Sequence, residues 1–81
     1  MPRFYFDTSD NDRQVRDEDG LDLPDELSAR NEAIKVLPGM AADGLPDGPE
    51  HLFRVSVRDA NGEYIFEASL NLMSHWVSRK P

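Results

Sequence analysis

Residues 16–33 read RDEDGLDLPDELSARNEA, and the order of charge, turn and apolar residues in this stretch decides the fold. A short extended run ends at Asp17, an acidic turn follows around Gly20, and Leu23-Pro24 leads into an amphipathic helix. Pro24 suits a position just before or just inside a helix, because the N–H it lacks would be unpaired there anyway. Asp25 and Glu26 suit the positive end of the helix dipole. At roughly 100° per residue, Leu27, Arg30, Ala33, Ile34 and Leu37 share one face, with Ser28, Asn31, Glu32 and Lys35 opposite. The spacing predicts a helix over about 25–37. Pro38 removes a backbone donor and Gly39 is a poor helix former, so the helix is expected to end or kink there. Met40 and Ala41 continue the apolar stripe and would allow a kinked further turn to about Asp43. Leu21 and Leu23 read as apolar plugs on the preceding loop.

Towards the N-terminus, Arg3-Phe4-Tyr5-Phe6-Asp7 suits a pleated surface, with Phe4 and Phe6 on one face. A modest hairpin is expected with Asp10-Asn11 at its tip, Phe6 opposite Val15 and Tyr5 opposite Arg16. Towards the C-terminus, 44–50 (GLPDGPE) is a connector rich in proline and glycine. Phe53, Val55 and Val57 then alternate, as do Tyr64, Phe66, Ala68, Leu70 and Leu72 beyond Asp59-Ala60-Asn61-Gly62. Bringing both apolar sets to one face pairs Val57 with Tyr64 and Val55 with Phe66, and leaves Gly62 free to take positive φ. The same register sets Arg58 against Glu63 and Arg54 against Glu67. The expected fold is α+β: a two-layer ββαββ, with a four-stranded, largely antiparallel sheet and the helix of about 25–37 packed on one face. It forms one small domain over 1–81, with 74–81 as a frayed tail.

The chain has 81 residues, no cysteine, and 16 acids against 9 Lys plus Arg, for a formal charge of −7. Thiolate zinc sites are excluded, and the lack of disulfides fits a reducing compartment. No segment approaches the roughly 20 apolar residues that span a bilayer, and MPRFYFDTSD lacks the pattern of a secretory signal, so a cytoplasmic protein is expected. The acidic balance disfavours membrane surfaces and nucleic acid and favours a basic partner.

Nine carboxylates lie between Asp7 and Glu26. Aligned to a Ca²⁺ loop with Gly20 at the sixth position, Asp17, Asp19 and Glu26 fall at ligand positions, but Val15 and Leu23 occupy two others and no helix enters. Ca²⁺ binding, or a small enzymatic module, using segment 7–26 is therefore an alternative to a solvated acidic turn, and the turn is preferred. Nothing places two acids on an apolar concave wall, where acid–base catalysis would separate their pKa values. His51 and His75 lie at opposite ends of the C-terminal hairpin and read as surface residues at strand ends. Arg30, the odd member of the apolar helix face, can either snorkel or reach Asp17 and Asp19 as a structural ion pair. Arg3, Tyr5, Arg16, Arg54, Arg58 and Ile65 fall on the outer sheet face. That set suggests RNA stacking as a further alternative, set against cross-strand pairing or self-association through an edge.

MPRFYFD, RDEDGLDLPDELSARNEA and FRVSVRDANGEYIFEASL together resemble a widespread bacterial family of short acidic proteins known as a domain of unknown function. The resemblance covers most of the chain and implies no activity or site. Pro38-Gly39 departs from the uninterrupted helix of that pattern. A more local likeness, carried by DGLDLPDELSARNEA alone, is to the N-terminal domain of HicB-type antitoxins, whose DNA-binding segment has no counterpart here. The expectation is a non-catalytic protein-interaction or regulatory module with no cofactor and no catalytic residue. Its candidate surface is Asp10, Asp12, Asp17, Glu18, Asp19 and Asp22. The partner is expected to be a protein, basic in character, with a homodimer through a sheet edge as a companion reading.

Overall fold

The computed structural model describes residues 1–43 and 48–79. Most of the expected connector at 44–50, and the last two residues of the tail, lie outside the described residues. Six elements follow in order: β1 (Arg3–Asp10), β2 (Arg13–Val15), β3 (Leu21–Asp22), α1 (Glu26–Asp43), β4 (Glu50–Arg58) and β5 (Tyr64–Met73). The fold is α+β, one helix on an antiparallel sheet ordered β2-β1-β4-β5, with the added β3 also beside β1. β2 and β3 share one side of β1, β2 pairing with Thr8–Asp10 and β3 with Arg3 and Phe4. Residues 74–79 form no helix or strand, although Ser74 N–H donates to the Pro49 carbonyl at 2.7 Å. No described helix is long and apolar enough to cross a membrane.

The helix starts where Asp25 Oδ1 accepts the Ser28 N–H at 2.8 Å, filling one of the donors a first turn leaves open. That hydrogen bond holds the Asp25 carboxyl below its usual range. The helix runs beyond the expected 37, through Pro38 to Asp43, the further turn that Met40 and Ala41 allowed. Pro38 lies on the exposed side, while Leu37, Met40 and Ala41 pack on the core and hold the last turns in place. The buried line is Ala29, Ala33 and Leu37, so Ala33 and Leu37 of the expected face are buried and Ala29 joins them. Leu27 and Ile34 remain 62% and 39% exposed, and Arg30 is exposed, so the larger side chains flank the contact. Two alanines at its centre let the helix axis come close to Phe53, Val55 and Val57, all nearly inaccessible. Phe4 completes this core, with Phe6, Leu23, Ile65, Phe66 and Ala68 packed around it.

Both hairpins form, and both registers differ from expectation. In the first, Thr8 faces Val15 and Asp10 faces Arg13, so Asn11-Asp12 is the turn. Asn11 takes the left-handed conformation at φ 52°, which asparagine tolerates better than most residues. It also clamps β4: its N–H donates to the Leu52 carbonyl at 2.9 Å, and its Oδ1 accepts the Leu52 N–H at 2.8 Å. The two-residue slip keeps every side chain on its expected face.

In the second hairpin Val57 faces Phe66 and Val55 faces Ala68, while Arg58 faces Tyr64, with a bulge between the two stretches. Gly62 takes φ +87° as expected, and Asp59 Oδ1 accepts the Asn61 and Glu63 N–H groups, both at 2.9 Å. A bulge inserts one residue into one strand and reverses the alternation beyond it. Ile65 therefore packs on the core rather than on the outer face. Tyr64, expected beside Phe66, turns to the open face.

Candidate functional site

The face of the sheet away from α1 carries a polar cluster built on Asp7 and Arg58. Alternation along β1 places Tyr5 and Asp7 there, and the pairing of β1 with β4 sets Tyr5 directly opposite Arg58. Arg58 is 6% exposed, a degree of burial that arginine reaches only when paired. Its Nε donates to Asp7 Oδ2 at 2.9 Å and its Nη2 to Asp7 Oδ1 at 3.0 Å, a bidentate pair. Nη2 also donates to the Asp17 carbonyl at 2.8 Å, and the guanidinium lies 4.8 Å from the centre of the Tyr5 ring. The bulge delivers Tyr64, whose hydroxyl donates to Asp7 Oδ2 at 2.7 Å. The Asp17 N–H donates to Asp7 Oδ1 at 3.0 Å.

Asp17 binds this cluster to the acidic loop. Between β2 and β3 the chain leaves β1, and Asp17 Oδ2 takes the Phe6 N–H at 3.0 Å in place of a strand carbonyl. Its other oxygen accepts the Asp19 and Gly20 N–H groups at 3.0 and 3.1 Å. Gly20 has φ +72°, and a β-carbon there would lie 2.8 Å from Arg3 Cγ and 2.9 Å from the Tyr5 ring, so only glycine fits.

The electrostatics follow from these partners. Arg58 chiefly, with the Asp17 N–H and the Tyr64 hydroxyl, holds the Asp7 carboxyl far below the usual carboxylate range despite its burial. Burial pushes the Asp17 carboxyl up, but the N–H groups of Phe6, Gly20 and Asp19 together outweigh it and hold the group low. Asp7 in turn raises Arg58. No buried side-chain nitrogen or oxygen among the described residues lacks a partner. The arrangement keeps both carboxylates ionised, gives Asp7 four donors and Asp17 three, and locks a loop onto a sheet.

The six acids expected to form one surface divide by role. Asp17 is internal. Asp22 accepts Arg3 Nε at 3.0 Å and Nη2 at 3.2 Å. Asp10 pairs with His51, which stacks on Phe53 with ring centroids 4.5 Å apart, so His51 is a structural partner and not a free strand-end residue. Asp12, Glu18 and Asp19 project into solvent. The pairing of Arg30 with Asp17 and Asp19 is not formed: Arg30 Nη1 donates to Asn31 Oδ1 at 3.0 Å, and the cation at Asp17 is Arg58. Arg58 likewise meets Asp7 instead of Glu63. Arg54, now opposite Ser69, still approaches Glu67 diagonally at 3.9 Å. Of the outer-face arginines, Arg3, Arg54 and Arg58 are each matched to a carboxylate. His75 is exposed.

Asp7, Tyr64 and the joining role of Asp17 are the members that sequence reasoning missed. Asp7 had one signal, a carboxylate on the same strand face as Tyr5. An open depression of about 470 Å³ borders the cluster, lined by Asp7, Ser9, Gln14, Arg16, Arg54 and Tyr64 among others. Among the described residues no three His, Asp or Glu side chains converge as a metal would require, and the expected ligand Asp17 points inward.

This pattern of strands, acidic glycine turn and hairpin matches the family described as Domain of unknown function (DUF6894) over residues 3–71. The chain belongs to that family. The match takes in the whole Asp7–Arg58–Tyr64–Asp17 cluster, both hairpin turns and the helix, and stops two residues before the end of β5. Comparisons with curated proteins and with solved structures gave no match.

Proposed function

We propose that this member of the DUF6894 family is a non-catalytic protein-interaction module that offers a preorganised acidic loop to a basic partner. One observation carries the reading. The Asp17 carboxylate ties the 16–20 loop to β1 through the Phe6 N–H and folds the loop on itself through the Asp19 and Gly20 N–H groups, and Glu18 and Asp19 are left exposed on it. A rigid loop loses little conformational entropy on binding, and a net charge of −7 attracts a cationic surface. The lowered carboxyls of Asp7 and Asp17 support the non-catalytic part, since a general base near neutral pH needs a carboxylate with a raised pKa. An antitoxin-like adaptor is the narrower form of this reading, and it rests on the local likeness of DGLDLPDELSARNEA. A cytoplasmic setting belongs to the same proposal.

The test is a tagged pull-down from the native host, eluted with a salt gradient and read by mass spectrometry. The expected result is one basic protein at near-stoichiometric yield, released by salt and lost with the double variant Glu18→Lys, Asp19→Lys, whose melting midpoint stays at the native value. Recovery of the chain alone, or binding that survives the charge reversal, would overturn the reading.

A further inference from the structure

We infer that β5 is a self-association edge and that two copies of this chain join their β5 strands antiparallel about a two-fold axis at Ser69. The inference stands apart from the acidic-loop reading and survives its failure. It begins with the contrast between the two sides of the sheet. The side of β1 away from β4 is taken by strands of three and two residues, with the Asp17 carboxylate filling the gap between them. Short, interrupted, charged edges resist further pairing.

β5 is the opposite case. It is ten residues long, and among the described residues it has a strand partner on one side only. Its sequence, YIFEASLNLM, contains no proline and no lysine, and one charge, Glu67. Of the usual devices that blunt an exposed edge, it carries only the bulge near Ile65 and this one charge. The apolar core beneath is small, with seven buried apolar residues among those described, so further burial along this edge is favourable.

The ladder defines which backbone groups are on offer. Ser74 N–H donates to the Pro49 carbonyl, so by antiparallel alternation Leu72, Leu70, Ala68 and Phe66 bond to β4. The groups of Glu67, Ser69, Asn71 and Met73 then point away from the sheet. An antiparallel copy can bond only in registers that oppose these residues to one another. Centred on Ser69, Glu67 meets Asn71 of the second copy, a carboxylate against an amide, and Phe66 meets Leu72 while Ala68 meets Leu70. The two Glu67 side chains stay four positions out of register, ~13 Å along the strand. Centring on Glu67 would oppose them directly and is disfavoured. The axis stands normal to the sheet, so both helices fall on the same face of one continuous sheet. Leu70 and Met73, now 39% and 71% exposed, lie within the joined segment.

Sedimentation velocity on the full chain over a concentration series tests this, together with hydrogen exchange at Ser69 and Asn71. The expected result is a dimer at micromolar to submillimolar concentration, with both amides protected as it forms. Ser69→Lys opposes two ammonium groups at the axis and should weaken association by at least about tenfold, whereas Asn71→Lys meets Glu67 and should strengthen it by a few-fold. Ser69→Pro removes an outward N–H without touching the bond to β4, so it should yield a folded monomer. A chain that stays monomeric throughout the series overturns the inference. So does a dimer that responds identically to the two lysine variants, since that response would place the contact elsewhere.

Discussion

The two faces of this sheet are sealed by different physics. Under α1, Phe53, Val55 and Val57 are buried by alanines and Leu37, and the stabilisation is non-directional and proportional to area. On the open face no second layer exists among the described elements, yet Arg58 reaches 6% exposure, close to the 5% of Leu37. It is covered by Tyr5 and held by Asp7 and the Asp17 carbonyl. A thin domain can thus create a buried site on an uncovered face if every polar atom in it is satisfied. The difference also predicts how each face fails: the apolar side loses stability by degrees as volume is removed, and the polar side fails when one partner goes missing.

The largest expected effect is on the apolar side. Phe53→Ala should cost about 3–5 kcal/mol in urea unfolding, a large part of the stability of so small a domain. Next comes Arg58→Met, which strands the Asp7 carboxylate and should cost about 3 kcal/mol, with most of that regained in the double variant Asp7→Leu, Arg58→Met. If the single variant proves neutral, the open face is decoration and the comparison fails.

The pH profile sharpens the same point. Asp7 and Asp17 have folded-state pKa values below their unfolded values, so their contribution is fully present above roughly pH 4 and is lost as pH falls through the folded pKa values. Thermal melting between pH 6 and pH 2 should therefore fall more steeply for the native chain than for Arg58→Met. Equal slopes would show that the pairing does not tune Asp7. Smaller still is Gly20→Ala, at about 2 kcal/mol from positive φ and the contact with Arg3 and Tyr5. Asp25→Ala removes the helix cap and should cost about 1 kcal/mol, which circular dichroism during unfolding will resolve.

Much of this was legible in the chain, and the gaps have identifiable causes. The helix start was readable because Pro24, Asp25 and Glu26 act within one turn. Its end was left between Leu37 and Asp43, because Met40 and Ala41 outweigh Pro38 only through packing on the core. The faces of Phe4, Phe6, Phe53, Val55 and Val57 were readable from alternation. The acidic segment looked like one exposed patch because residue type alone does not separate Asp17, held by backbone donors, from Glu18 beside it.

What the sequence determined alone is the set of local periods and turns: two hairpins, one capped helix, an apolar set for the core and a strongly acidic surface. Those follow from backbone stereochemistry acting over a few neighbouring residues. The tertiary structure decided the registers, the bulge that exchanges the faces of Tyr64 and Ile65, and the choice of Arg58 over Arg30 as the cation at Asp17. These depend on groups about forty to sixty positions apart, such as Asp7 with Arg58 and Tyr64. A one-residue change in pairing reverses which side chains can meet, and only the closed sheet selects among the alternatives.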